Sequence, residues 1–98
     1  MKTARVLCVD DEPRVLEGLQ RVLHRRCVFL SASGGEDALK LIARSEHIDV
    51  VVSDMRMPEM NGAVFLAECR RRSPDTVRLL LTGQADLASA IDAVNEGQ

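Results

Sequence analysis

Aromatic side chains are scarce in this chain of 98 residues, which has no Trp, no Tyr and two Phe residues. The hydrophobic fraction is nevertheless 46%, so the apolar residues can form a core, and that core must be aliphatic. A chain of this length forms at most one domain. We therefore predict a single small domain whose interior is built from Val, Leu, Ile, Ala and Met.

Neither sign of charge is in large excess. The chain carries 13 Lys and Arg against 15 Asp and Glu, a formal net charge of −2. Nucleic-acid-binding domains show a basic face, so we expect no direct nucleic-acid binding by this chain. It has no apolar run of membrane-spanning length, and we expect no signal peptide. We expect a cytoplasmic location and no membrane contact.

Cysteines are also few, and their number is odd. Cys8, Cys27 and Cys69 lack the spacing of a metal-ligand set. They suit small buried positions in a protein that is kept in a reducing compartment. We predict that all three are buried and unpaired.

Two apolar runs end in carboxylates. Residues 50–52 are all Val and lead through Ser53 to Asp54, and residues 5–9 lead to the sequence Asp10-Asp11-Glu12-Pro13. Such runs predict buried strands, whose C-terminal ends face the crevice in which open α/β sheets bind ligands. If the strands are parallel neighbours, three carboxylates meet, and a proton or cation must offset their repulsion.

Oxygen ligands with room for water favour Mg²⁺ over Zn²⁺ or Cu²⁺. An Asp at a strand end can also simply cap a turn or a helix. Two acidic clusters at matching strand ends favour the metal site over that simpler interpretation.

Helical periodicity separates the predicted strands. Apolar residues of the first helix recur on one face at helical spacing: Val15, Leu16, Leu19, Val22 and Leu23. Further helices are predicted after residue 33, after the turn at 58–62, and near residue 86. Four strands alternating with four helices predict a parallel, doubly wound sheet.

Three motifs carry a resemblance to a known family. Val9-Asp10-Asp11-Glu12, the sequence from Asp54 to Gly62, and Leu80-Leu81-Thr82-Gly83 resemble, in order and spacing, the receiver domain of two-component response regulators. The resemblance covers the whole chain. It implies an α/β fold of the flavodoxin-like (CheY-like) type, with strand order 2-1-3-4 and the fifth βα unit of the family missing. Residues 1–98 are then one receiver domain that is incomplete at its C-terminus.

The resemblance also implies roles for the polar residues. Asp54 would accept a phosphoryl group from a histidine kinase or phosphotransfer protein. Asp11 and Asp54 would bind Mg²⁺ with the backbone carbonyl of Arg56, and Asp10 would assist through water. Thr82 would contact the phosphoryl group.

Two further positions are expected to modulate dephosphorylation. Arg56 lies two residues beyond Asp54, and Gln84 lies two residues beyond Thr82. In this family the residues at these two positions flank the path of the hydrolytic water. The family's lysine, which neutralises phosphoryl oxygens, has no counterpart, since the chain has lysines only at positions 2 and 40. We therefore expect Mg²⁺ binding but a poor response to phosphoryl donors.

The function that the resemblance implies is that of a signalling switch and not of an enzyme. It relays phosphorylation to an output domain or partner outside this chain. Residues 79–97 have a weak similarity to receivers joined to HD-GYP domains, while DNA-binding, diguanylate cyclase and stand-alone outputs also fit. Without a fifth βα unit the fourth strand has a bare edge and one sheet face is partly uncovered. We expect self-association through one of them.

Two other functions fit parts of the pattern. A pseudo-receiver would use the same fold for protein contacts without phosphorylation. A Mg²⁺-dependent phosphatase of the haloacid-dehalogenase type also uses an Asp at a strand end. That group requires Asp-x-Asp after its first strand, which Asp10-Asp11-Glu12-Pro13 does not supply.

Overall fold

The computed structural model describes residues 3–81. Over this range strands and helices alternate as predicted. The predicted fourth helix lies outside the described residues, as do Thr82 and Gln84. The elements are β1 (Arg5–Val9), α1 (Pro13–Leu23), β2 (Val28–Ala32), α2 (Gly35–Arg44), β3 (Val50–Ser53), α3 (Gly62–Arg72) and β4 (Val77–Leu80).

The strands form one parallel sheet in the order β2-β1-β3-β4, which confirms the predicted order 2-1-3-4. Val9, the last residue of β1, is paired with Ala32 on one side and with Ser53 on the other. The C-terminal ends of β1 and β3 are therefore level. This register brings the residues that follow them, Asp10 and Asp54, to the same edge of the sheet.

Helices cover both faces of the sheet. On one face α1 packs on a cluster that includes Val6, Cys8 and Val50. On the other, α2 and α3 pack on a cluster that includes Leu7, Val51 and Phe65. The central strands β1 and β3 are thus buried on both sides, which is why their sequences are continuous apolar runs.

Helix α1 departs from the prediction at one position. Leu19 and Leu23 are buried and Val15 and Leu16 are partly buried against the same cluster, but Val22 is 47% exposed. Leu19 lies near the centre of the apolar stripe, while Val22 lies at its margin, beyond the reach of the sheet. Val22 thus has the helical spacing of the predicted apolar face but does not join the core.

The three cysteines are free and buried, as predicted from their number and spacing. Cys8 lies in β1, Cys69 in α3, and Cys27 directly before β2. Among residues 3–81, no helix combines the length and the apolar character that crossing a membrane requires.

Candidate functional site

Backbone hydrogen bonds hold both strand-end aspartates in place. The amide of Asp54 donates to the carbonyl of Val9 at 3.0 Å, and the amide of Asp10 donates to the carbonyl of Ala32 at 3.2 Å. Each bond extends the sheet ladder by one residue past the end of its strand. The two carboxylates therefore project from rigid backbone and not from a flexible loop.

Asp10, Asp11 and Asp54 form one cluster. Each offers a carboxylate oxygen, and these oxygens all lie within 4.8 Å of one another. Asp10 is buried, Asp54 is half-buried and Asp11 is exposed. The cluster is therefore closed on the side of the sheet and open to solvent on the other, which is the form of a site that a metal ion can enter.

Asp10, the buried member of the cluster, has a perturbed pKa. Burial raises the pKa of Asp10, and the nearby charges of Asp54 and Asp11 raise it further. The amide of Glu12, which donates to Oδ1 of Asp10 at 2.9 Å, acts in the opposite direction. The net shift is upward, so burial first and the neighbouring carboxylates second disfavour the ionised form of Asp10, which a bound cation would favour.

The segment after Asp54 folds back onto its backbone. The hydroxyl of Ser53 donates to the carbonyl of Asp54 at 2.9 Å, and the amide of Gly62 donates to the carbonyl of Met55 at 2.9 Å. Between them the chain makes a tight turn in which Glu59 has a positive φ of 69°. Asn61 then caps α3, because its side chain accepts from the amide of Val64 at 2.9 Å.

The site geometry agrees with the comparison to protein families. The family model for the response regulator receiver domain matches residues 6–98. This chain belongs to the receiver-domain family. The three carboxylates that follow β1 and β3 all lie within the matched residues.

Relatives of this receiver domain are parts of longer proteins. The hydrogenase transcriptional regulatory protein HoxA of Cupriavidus necator is 39% identical over 95 residues, which cover 97% of this chain and 20% of that protein. The transcriptional regulatory protein GlrR of Escherichia coli is 33% identical over 97 residues, covering 98% of this chain and 22% of that protein. The chain thus spans about a fifth of the length of these curated relatives.

A solved structure with the same fold is that of the response regulator TrrA from Thermotoga maritima in complex with Mg²⁺ and BeF. It superposes with a TM-score of 0.74 at 33% identity, over 93% of this chain and 79% of that one. The signal receiver domain of an HD domain-containing protein from Pseudomonas fluorescens has a TM-score of 0.78 at 35% identity, over 98% and 77% of the two chains. Both confirm the fold predicted from the sequence.

The predicted site residues differ in whether the structure brings them together. Asp10, Asp11 and Asp54 come together as expected. Arg56 lies in the turn after β3 with its side chain exposed. The prediction that its backbone carbonyl is a metal ligand stays a prediction, as do the roles of the two residues beyond position 81.

Sequence reasoning missed two residues that support Asp54. Ser53 received no role from the sequence, yet it is fully buried and its hydroxyl donates a hydrogen bond to the Asp54 carbonyl. Gly62 was treated as a turn glycine, yet it lies in close contact with the same carbonyl. A lone Ser at the end of a Val strand and the pair Asn61-Gly62 are the signals that could have indicated them.

Proposed function

We propose that Asp54 is the phosphoacceptor of this receiver domain and that the domain acts as a signalling switch. The observation that carries the proposal is the convergence of Asp10, Asp11 and Asp54 within 4.8 Å. A receiver needs a carboxylate that is rigidly held, exposed to its donor and surrounded by groups able to bind a cation. Of the three, Asp54 fits that description.

The surroundings of each carboxylate separate their roles. Asp10 is 4% exposed, and one of its oxygens already accepts the Glu12 amide. Asp11 is exposed in the connection between β1 and α1, beyond the end of the strand. Asp54 is half-buried at the end of β3, with its backbone amide bound to Val9. It is both accessible and fixed, as an attacking group must be.

The same residues fit a divalent cation. Three carboxylates supply hard oxygen ligands, and the open side of the cluster leaves room for water, as Mg²⁺ requires. Asp11 and Asp54 would hold the ion, with Asp10 acting through water and the carbonyl of Arg56 completing the set. Bound Mg²⁺ would offset negative charge on the cluster and on the incoming phosphoryl group.

The transfer step follows from this arrangement. A carboxylate oxygen of Asp54 attacks the phosphorus of a phosphohistidine; the new P–O bond forms as the P–N bond breaks, and the imidazole leaves with its electron pair and takes up a proton. In the later hydrolysis step a water oxygen attacks phosphorus and the water gives up a proton to solvent; the P–O bond to Asp54 breaks, the Asp54 carboxylate is regenerated and inorganic phosphate is released. Thr82 donates a hydrogen bond to a phosphoryl oxygen, and Arg56 and Gln84 influence the access of water.

The partners follow from this chemistry. The donor is a histidine kinase or a phosphotransfer protein, and the recipient of the signal is an output domain of a longer protein. The receiver from a Pseudomonas HD domain-containing protein supports an HD-type output, whereas the regulator HoxA supports a transcriptional one. We place the protein in the cytoplasm, where such donors are found. Self-association through β4 or a sheet face is also part of this proposal.

Chemical phosphorylation tests the assignment of Asp54. The protein is incubated with phosphoramidate and Mg²⁺ over a long time course, because we expect a slow response, and the acyl phosphate is trapped by borohydride reduction and located by peptide mass spectrometry. We expect reduction products at position 54, none in Asp54→Asn, and unchanged labelling in Asp75→Asn, whose exposed carboxylate lies before β4 at the opposite end of the sheet. Labelling at position 10 or 11 would overturn the assignment, and no labelling at all would favour the pseudo-receiver.

A further inference from the structure

The outer edge of β2 is an open pairing surface. Among residues 3–81, β2 has a neighbour on one side only, namely β1. Its sequence, Val28-Phe29-Leu30-Ser31-Ala32, contains no charge and no Pro. Natural edge strands are usually protected by a charge, a Pro or a bulge. By contrast β4, at the other edge of the described sheet, has Arg78 in its middle.

Hydrogen bonds to β1 show which backbone groups point away from the sheet. The amide of Val28 donates to the carbonyl of Ala4, and the carbonyl of Ala32 accepts from the amide of Asp10. Residues 28, 30 and 32 therefore direct their backbone groups towards β1. Because these directions alternate along a strand, Phe29 and Ser31 direct their N–H and C=O groups outward.

Charges flank β2 asymmetrically. Arg25 and Arg26 precede it, whereas Glu36 and Asp37 follow it in the first turn of α2, and all four side chains are exposed. If a second β2 paired in parallel, like charges would meet at both ends. If it paired antiparallel, the basic end of each strand would face the acidic end of the other.

We propose that β2 pairs antiparallel with β2 of a second copy of this chain, with Leu30 opposite Leu30 across a two-fold axis. In this register Phe29 of each copy faces Ser31 of the other. Both residues have outward N–H and C=O groups, so each Phe29–Ser31 pair exchanges two backbone hydrogen bonds. The two symmetry-related pairs together form about four. Arg25 and Arg26 of each copy then lie near Glu36 and Asp37 of the other.

The pairing also removes apolar surface from water. Val28, which is 41% exposed, comes to lie opposite Ala32, and the half-buried Phe29 and Leu30 gain cover on opposite faces. The resulting sheet continues through both copies and leaves both carboxylate clusters accessible. This dimer uses the edge away from β4 and does not depend on phosphorylation of Asp54.

Two charge-reversal variants test the orientation. One carries Arg25→Glu and Arg26→Glu, the other Glu36→Arg and Asp37→Arg, and sedimentation velocity is measured for wild type, for each variant and for their equimolar mixture. Antiparallel pairing predicts that wild type dimerises, that each variant alone dimerises at least roughly tenfold more weakly, and that the mixture recovers dimer, because opposite charges meet again at both ends. Circular dichroism verifies that each variant is folded.

A wild type that stays monomeric at millimolar concentration would overturn the proposal, and so would a mixture no more dimeric than its components. The register has its own test, because Leu30 pairs with itself at a position where the Cα atoms are close enough for a disulfide. We expect Leu30→Cys to form a disulfide-linked dimer under mild oxidation and Val28→Cys not to do so. The opposite result would exclude this register. The native cysteines are buried and do not compete.

Discussion

Gly62 lies directly against the main-chain carbonyl of Asp54, so close that a Cβ atom at position 62 would overlap the oxygen. The contact brings the first residue of α3 onto the end of β3. No described glycine has a positive φ, so the requirement for Gly at this position comes from space and not from backbone conformation. The position of α3 and the position of Asp54 are therefore coupled.

Gly62→Ala should destabilise the domain by about 1–3 kcal/mol, because the added methyl group must displace either α3 or the Asp54 carbonyl. Gly18→Ala is the matched control: nothing lies within 4 Å of a Cβ atom there, and Ala is favoured over Gly within a helix by about 0.8–1 kcal/mol. Urea unfolding of the two variants should give shifts of opposite sign. If Gly62→Ala left the free energy of unfolding unchanged, the structure around the contact would have adjusted to the methyl group at no cost.

Asp10→Asn should stabilise the protein at neutral pH. The pKa of Asp10 is raised from 3.8, so the folded protein binds this proton more tightly than the unfolded chain does. Stability is lost as the pH rises from the unfolded pKa through the folded one, and the charged Asp10 destabilises the fold above that range. Asn keeps an oxygen for the Glu12 amide and carries no charge.

Urea unfolding at pH 7 and at about pH 4 checks this prediction. The advantage of Asp10→Asn over wild type should be largest at pH 7 and should shrink as the pH falls, because wild-type Asp10 then becomes protonated. Asp75→Asn provides the control for a general effect of charge. An advantage that does not vary with pH would show that the negative charge of buried Asp10 is not its source.

Mg²⁺ should raise the melting temperature of the wild type. A cation that binds only the folded state adds RT ln(1 + [Mg²⁺]/Kd) to the free energy of unfolding. Asp11→Ala and Asp54→Ala should weaken this response and also stabilise the metal-free protein, because each removes one of the repelling charges in the cluster. Thermal melts are compared at constant ionic strength, and an equal rise in all three proteins would argue against the site.

The three cysteines should react slowly with thiol reagents in the native protein. Burial raises the pKa of Cys8 to about 12 and that of Cys69 to about 11, and it also raises the pKa of Cys27. Since the thiolate is the reactive form, labelling at pH 8 should need unfolding. Rapid iodoacetamide labelling of any of the three in the folded protein, followed by peptide mapping, would reveal local opening near that residue.

Much of the fold could be predicted because strand and helix periods are local properties. The Val run at 50–52 and the apolar run at 5–9 indicated strands buried on both faces, and burial of Val50, Val51 and Val52 confirms this. Convergence of the aspartates could also be predicted, because parallel neighbouring strands must end at the same edge of the sheet. That inference needed only strand order and no side-chain detail.

The sequence by itself determined the alternation of elements, the aliphatic core and the carboxylates at the strand ends, because each depends on residue type and spacing along the chain. Only the tertiary structure decided which neighbours those residues meet. It placed Ser53 and Gly62 on the carbonyl of Asp54 and Val22 beyond the edge of the core. It also left the uncharged β2 at an edge of the sheet that residues 3–81 form. Such contacts depend on how separate elements pack in three dimensions, and no local period in the sequence encodes that packing.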